Sequence, residues 1–200
     1  MEILNATSRL TRLRRIRLTN AAAAFGLVIM LGSRLAAGSP EQPMDEYQVK
    51  AAFLYNFAKF VEWPVEAFQS PVEPIGICIL GQDPFGRSLE DTLAGRVIES
   101  RSLVVRHISS YQQNAGCHIL FIGAVEIKRA PPMLADIRRP GILTVGDSDS
   151  SGADGVVICF RLESGKVRFV INLEAAAREK VRISSRLLNL AKVIKPDGKQ

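Results

Sequence analysis

The sequence is poor in the residues that build metal and nucleophile sites. It has two histidines, three cysteines and one tryptophan in 200 residues. No two cysteines are spaced as Cys-x-x-Cys, which argues against a structural zinc site or a thioredoxin-like motif. The chain also lacks the Gly-x-Ser-x-Gly of α/β-hydrolases, and neither histidine has a partner at ligand spacing. We therefore expect no enzymatic activity, no metal and no cofactor.

The net charge of +6 is concentrated at one end of the chain. Six of the 26 basic residues and only one of the 20 acidic residues lie in residues 1–38. The remainder is close to neutral and offers no electrostatic surface for nucleic acid. We therefore expect no nucleic-acid partner.

Residues 1–38 have the layout of a secretory signal peptide. Arginines between residues 9 and 17 precede an apolar run of 12 residues, 21–32, and small residues follow it. A membrane span needs about 20 apolar residues, so this run is short for one. We expect residues 1–38 to be cleaved on export to the periplasm; an uncleaved N-terminal anchor is the alternative.

The exported part is predicted to be one domain, 46–194, between a linker at 39–45 and a polar tail at 195–200. Its first element is a helix over residues 46–62, which Trp63-Pro64 should end because the residue before proline disfavours helical backbone. The apolar stripe of this helix is wider than that of a surface helix. It either packs between the sheet and other elements or binds a partner. The candidate partner-binding residues are Tyr55, Phe57, Phe60 and Trp63.

The middle of the chain alternates between short apolar runs and helical segments. Strands are predicted at 75–80, 102–108, 118–122 and 141–145, with helices at 87–94 and 125–138. This β-α-β-β-α-β order predicts a mostly parallel, doubly wound sheet.

The C-terminal third has a different pattern. Residues 156–162 and 167–172 read as two antiparallel strands around Ser164-Gly165, followed by helices at 173–179 and 184–191, the second capped by Ser184. The predicted fold is α/β, a three-layer sandwich whose mostly parallel doubly wound sheet is extended by a C-terminal antiparallel hairpin.

The loop after the first sheet strand is a candidate ligand site. Gly81-Gln-Asp-Pro-Phe-Gly86 lies between a strand and a helix but has Arg87 where a phosphate-binding loop has lysine, and Asp83 would repel phosphate. A different small ligand remains open, with Gly81, Asp83, Phe85 and Gly86 as candidates. Residues 147–152 resemble the start of a calcium loop, but position 12 is not the required glutamate, which favours a solvated loop.

The cysteines offer the strongest chemical hypothesis. Cys78 and Cys117 lie in or beside strands that should be neighbours, and disulfides persist in exported proteins. A bridge between them is predicted, with two buried thiols as the alternative. Cys159 would then be left as a buried thiol.

Several separated motifs resemble the YfiR family of periplasmic regulators. They are Tyr47-x-Val-Lys-Ala-Ala-Phe-Leu-Tyr-Asn-Phe-Ala-Lys-Phe-Val-x-Trp-Pro64, the 81–86 loop, Cys117-His-Ile-Leu-Phe-Ile122 and Ile171-Asn…Ile183-Ser-Ser-Arg-Leu-Leu188. Together they cover about residues 46–193.

The resemblance implies a regulator that binds the periplasmic sensor region of an inner-membrane diguanylate cyclase and holds it inactive. It also implies a homodimer, a possible outer-membrane lipoprotein partner and a role in cyclic di-GMP signalling and biofilm formation. Cys78 and Cys117 match one family bridge, whereas the partner of Cys159 in some members, near Gly152, is absent.

Two other functions stay open at this point. The chain could be a periplasmic small-molecule-binding protein that signals to a membrane receptor or sensor kinase. An enzyme of unrecognised type would need a cleft whose acids or histidines have perturbed pKa values.

Overall fold

The computed structural model describes residues 45–113, 116–130, 132, 134, 140–148 and 155–194. Residues 1–38, most of the linker, the tail at 195–200 and the core of the calcium-like loop therefore lie outside the described residues.

The first helix is α1 (Glu46–Phe60), which begins where the Asp45 side chain accepts a hydrogen bond from the backbone N–H of Tyr47.

In the described part of the chain, eight strands form one sheet. They are β2 (Ile75–Leu80), β3 (Val97–Ile98), β4 (Arg101–Ile108), β5 (Ile119–Ile122), β6 (Leu143–Asp147), β7 (Ile158–Glu163), β8 (Lys166–Asn172) and β10 (Lys192–Ile194). Their order across the sheet is β10-β8-β7-β6-β5-β2-β4-β3. The neighbours β4-β2, β2-β5, β5-β6 and β6-β7 pair in parallel. The short β3 pairs antiparallel with β4, and β7 and β8 form the antiparallel hairpin.

Apolar layers cover both faces of this sheet. Alternate residues of each strand point to opposite faces, and they fall into two buried clusters. The first cluster joins the sheet to α1 and to α2 (Arg87–Leu93), whereas the second joins it to Ile127, Ala130 and Leu134. The three-layer α/β sandwich predicted from the sequence is therefore confirmed.

The hairpin prediction is also confirmed. Glu163 faces Lys166, and Ser164 and Gly165 both have positive φ, as a two-residue turn between twisted strands requires. After it come α3 (Leu173–Arg178), β9 (Arg182–Ile183) and α4 (Ser185–Leu188). The Ser184 hydroxyl caps α4 as predicted, accepting from the N–H of Leu187 at 3.4 Å.

Several elements differ from the sequence-based expectation. The short strand β3, the strand β10 and the small antiparallel pair of β1 (Val61–Glu62) with β9 were not predicted. The last helix ends at Leu188, short of Ala191. The predicted helix 125–138 starts with a 3₁₀ turn, Ile127–Arg129, and residues 131, 133 and 135–138 of it lie outside the described residues. Strands of two or three residues carry too little periodicity to be recognised.

Candidate partner-binding site

A groove of about 410 Å³ opens at the end of α1. Helix α1 stops before Pro64, and the chain then turns across the N-terminal ends of β2 and β4. We call this cavity the aromatic groove and define it by Phe60, Trp63, Phe68, Ile98 and Arg101, which all line it.

A buried histidine holds the aromatic wall of this groove in place. The indole N–H of Trp63 donates to the backbone oxygen of His118 at 3.4 Å, and Phe68 stacks on the His118 ring with centroids 4.2 Å apart. His118 Nδ1 accepts from the N–H of Gly76 at 3.0 Å, so Nε2 is the protonated nitrogen and donates to Ala67 O at 3.2 Å. These contacts give the neutral imidazole a structural role.

Charges of both signs border the aromatic groove. The Arg101 guanidinium lies 3.7 Å from the Phe68 ring centroid and donates to the backbone oxygens of Ser70 and Glu73 at 2.9 and 2.7 Å. Lys59 and the acidic residues Glu62 and Glu99 line the same opening. Aromatic residues and arginine are the residue types that often dominate the binding energy of protein–protein interfaces, and this groove combines both.

The four candidate partner-binding residues lie in different environments. Phe60 and Trp63 are partly buried and line the aromatic groove. Tyr55 is partly buried elsewhere, beneath the Arg96 guanidinium at 4.4 Å. Phe57 has no exposed surface and packs against the rings of Phe160 and Phe169. Phe57 is therefore a core residue in this structure and presents no surface to a partner.

The residues predicted to bind a small ligand form an internally bonded turn. Asp83 accepts from the N–H of Phe85 at 2.8 Å and pairs with His107 Nε2 at 2.9 Å. The Phe85 ring is buried against Phe121, with centroids 4.7 Å apart. Gly86 has φ +53° where α2 begins, and these contacts account for the loop without a ligand.

The glycine at the start of this turn serves a close approach. Gly81 has φ +81°, and a Cβ at Gly81 would lie 2.3 Å from the Glu126 carboxylate. Glycine adopts this positive φ without strain, whereas a Cβ would also have to displace the Glu126 side chain.

A buried charge cluster that the sequence did not indicate lies at the other end of α1. Lys50 is almost fully buried and pairs with Glu46 and with both carboxylate oxygens of Asp147, at 2.7 Å each. The Tyr47 hydroxyl donates to Asp147 at 3.3 Å. Burial lowers the pKa of Lys50, but hydrogen bonds to Asp147 and Glu46 outweigh it, so the pKa is raised above its ordinary value. Lys50 thus stays a cation and is not a nucleophile.

The predicted disulfide between Cys78 and Cys117 is present. The bridge joins β2 to a residue two positions before β5, with the two Cα atoms 5.6 Å apart, and both cysteines are buried. Cys159 is buried on the same face of the sheet and takes no part in this bridge.

Two features are absent from the described residues. Within those residues, no three or more His, Cys, Asp or Glu side chains gather in a way that would hold a metal ion. The described helices include none that is long and apolar enough to cross a membrane.

The fold and the site together define an α/β protein with an aromatic groove at the end of its first helix. A comparison with protein-family models matches DUF4154, described as YfiR/HmsC-like, over residues 47–192. Since the match covers well over half of the chain, the protein belongs to the YfiR/HmsC-like family. This is a family of periplasmic regulators in cyclic di-GMP signalling, so membership indicates a regulatory protein that interacts with an inner-membrane signalling protein.

Proposed function

We propose that this protein is a periplasmic inhibitor that binds the sensor region of an inner-membrane signalling enzyme, a diguanylate cyclase, and holds it inactive. The observation that carries the proposal is the family match over residues 47–192, which spans all of the groove-lining residues. The proposal includes removal of residues 1–38 on export and a homodimer whose inhibition an outer-membrane lipoprotein relieves.

The aromatic groove is the contact surface in this proposal. Phe60 and Trp63 offer partly exposed rings at its rim, and Arg101 adds a guanidinium that two backbone carbonyls hold in place. Tryptophan and arginine are enriched among the few residues that carry most of the binding energy at interfaces. Phe57 makes no contact with a partner in this proposal. Its buried ring supports the helix that carries Phe60.

The first experiment is a pull-down from solubilised membranes of the native host with tagged residues 39–200 as bait. Recovery of an inner-membrane cyclase with a periplasmic sensor region would supply the partner for an activity assay. The rate of cyclic di-GMP synthesis by that cyclase, in membranes, should fall when the purified protein is added. If the rate does not change, the inhibitor proposal fails.

Variants locate the contact surface in the same assay. Trp63→Ala and Phe60→Glu should each weaken inhibition by at least about tenfold, because hot-spot aromatics contribute about 2 kcal/mol or more. Val72→Glu is the control, since Val72 is 70% exposed and does not line the groove. If both groove variants fold normally by circular dichroism and inhibit like wild type, the contact surface lies elsewhere.

A second candidate function uses the same cavity for a small ligand. The volume of about 410 Å³ falls within the roughly 300–1,000 Å³ that is usual for small-molecule sites. A thermal-shift screen tests it, since a ligand that binds the folded protein raises the melting temperature by mass action. A hit whose shift disappears in Trp63→Ala would favour this candidate, whereas a screen without hits would leave the protein-binding proposal as the better one.

A further inference from the structure

We propose that the free edge of β4 binds an extended peptide segment of a partner protein as an added strand. The site lies apart from the aromatic groove and does not depend on the identity of the signalling partner. β4 has eight residues and pairs with β2 over residues 103–108. On its other side β3 pairs only with Arg101 and Ser102, so among the described residues no strand covers 103–108.

The hydrogen-bond pattern shows which backbone groups this edge offers. Gly81 N–H donates to Ile108 O at 3.0 Å, so the backbone groups of Ile108 point towards β2. Because these directions alternate along a strand, Val104 and Arg106 point the same way. The N–H and C=O groups of Leu103, Val105 and His107 therefore point away from the sheet. They offer three donors and three acceptors to an added strand.

A second groove runs beside this edge. It has a volume of about 290 Å³ and lies between the end of α2 and β4. Its apolar lining includes Leu93, Val97, Leu103 and Val105, and Glu90, Arg96 and Ser102 form its polar lining. We call it the edge groove. Leu103 and Val105 pack on the same apolar cluster as Leu93, so the side chains of an added strand would enter the groove at every second position. An open strand edge with a pocket for alternate side chains is the geometry of peptide recognition by strand addition.

The edge also lacks the usual protection against strand addition. Natural proteins blunt free edges with proline, lysine, bulges or very short strands. Leu103, Val104 and Val105 are three consecutive apolar residues, each partly exposed, with no charge or proline among them. The first charged residue after them, Arg106, is exposed and points to the opposite face from the edge groove.

The shape of the edge favours a single strand over a second copy of this chain. In a two-fold antiparallel pairing of two edges, outward-pointing residues face each other, so residue 103 of one copy faces residue 107 of the other. This register places β3 of one copy where residues 108 and 109 of the other lie. A lone strand meets no such obstacle.

The side chains beside the edge specify the chemistry of the segment. Its residues on the groove side should be apolar to match Leu93, Val97 and Val105. Its alternate residues face the side of Arg106, where an acidic residue is complementary. The segment should therefore alternate apolar and acidic residues over about six positions.

Nuclear magnetic resonance with ¹⁵N-labelled protein, exported from the full chain, tests the proposal. The probes are the capped peptides Val-Asp-Val-Asp-Val-Asp and Val-Lys-Val-Lys-Val-Lys, titrated to about 2 mM, near the weak limit of measurable affinity. We expect the acidic peptide to shift the amide resonances of Leu103, Val105 and His107, and the lysine peptide to bind more weakly. If neither peptide shifts those three amides, or the shifts fall elsewhere, the proposal is wrong.

A matched pair of variants separates strand addition from other binding. Val105→Pro removes an N–H that makes no bond within the sheet, and proline is tolerated on sheet edges. It should weaken binding of the acidic peptide by about tenfold or more, because the peptide loses a hydrogen bond and keeps an unsatisfied carbonyl. Val105→Thr keeps the N–H, so its affinity for the acidic peptide should stay within about twofold of wild type. Equal binding by both variants would overturn the proposal.

Two further outcomes complete the test. If Val105→Pro does not fold, Arg106→Glu replaces it, and the preference should then switch from the acidic peptide to the lysine peptide; an unchanged preference contradicts the proposal. If wild type is a dimer that Val105→Pro converts to a monomer, the occupant is a second copy and the partner segment is ruled out.

Discussion

Removing the disulfide gives the sharpest stability prediction. The bridge between Cys78 and Cys117 spans 39 residues of sequence and lies in the core, with exposed fractions of 0% and 2%. Replacing both cysteines with alanine removes the cross-link without leaving a lone thiol or a buried hydroxyl. The unfolded chain then gains the conformational entropy that the bridge withholds.

The size of the effect follows from the loop that the bridge closes. For a separation of 39 residues, the chain-entropy relation gives a loss of about 4 kcal/mol in the free energy of unfolding. For a domain of this size, about 1 kcal/mol corresponds to roughly 2–4 °C in melting temperature. We therefore expect the Cys78→Ala/Cys117→Ala variant to melt about 8–16 °C below wild type.

Urea unfolding followed by circular dichroism measures the difference, with Cys159→Ala as the control. Cys159 is buried on the same face but is outside the bridge, so its replacement removes a sulfur without opening a loop. If the free energy of unfolding falls in the double variant by no more than twice the fall in Cys159→Ala, the loss of two packed sulfur atoms accounts for the effect and the cross-link argument fails.

Reduction provides an independent check on the same bridge. Because both sulfur atoms are buried, dithiothreitol should not open the bridge in the folded protein and should lower stability only after transient unfolding. Mass spectrometry after alkylation counts the exposed thiols. Rapid alkylation of Cys78 under native conditions would show that the bridge is more accessible than its burial indicates.

Three other substitutions test the core. Lys50→Met should cost about 3–5 kcal/mol because it strands the buried carboxylate of Asp147; adding Asp147→Leu should recover much of that loss, and no recovery in urea unfolding would contradict the pairing. Gly76→Ala should cost about 3 kcal/mol, because the new Cβ would lie 1.9 Å from Gly116 O in an adjoining backbone; a melting temperature equal to wild type would refute this packing. Burial, partly offset by the neighbouring arginine, raises the pKa of Glu179 in the folded state, so the free energy of unfolding should fall as pH rises from about 4.5 through the folded pKa. Glu179→Gln should remove that fall, which urea unfolding at about pH 4 and pH 8 would show. If the free energies of unfolding of the variant and wild type differ by the same amount at both pH values, Glu179 is not the source of the pH dependence.

Local sequence patterns were sufficient for the main elements. The six residues of β2 are apolar and all buried, so their pattern alone indicates a strand covered on both faces. The Ser164-Gly165 turn supplies the two positive φ values that a tight hairpin needs. The pairing of Cys78 with Cys117 followed from strands that the βαβ order makes neighbours. These predictions succeeded because each depends on residues close in sequence or on connection rules.

The orientation of α1 could not be predicted in the same way. Its apolar residues cover most of the helix circumference, so periodicity does not separate Phe57, which is in the core, from Phe60, which is at the groove. Only the packing of the helix on the sheet decides between them.

What the sequence by itself determined is the α/β class, the hairpin, the disulfide and the family. The tertiary structure alone decided the sites. Lys50 and Asp147 are 97 residues apart, and the aromatic groove combines residues from the end of α1 with Arg101. The free edge of β4 exists because the outermost strand, β3, pairs with only two of its residues. The physical reason is that local patterns specify which residues are buried and in what conformation, whereas the contacts between distant residues depend on how strands are ordered and helices are packed.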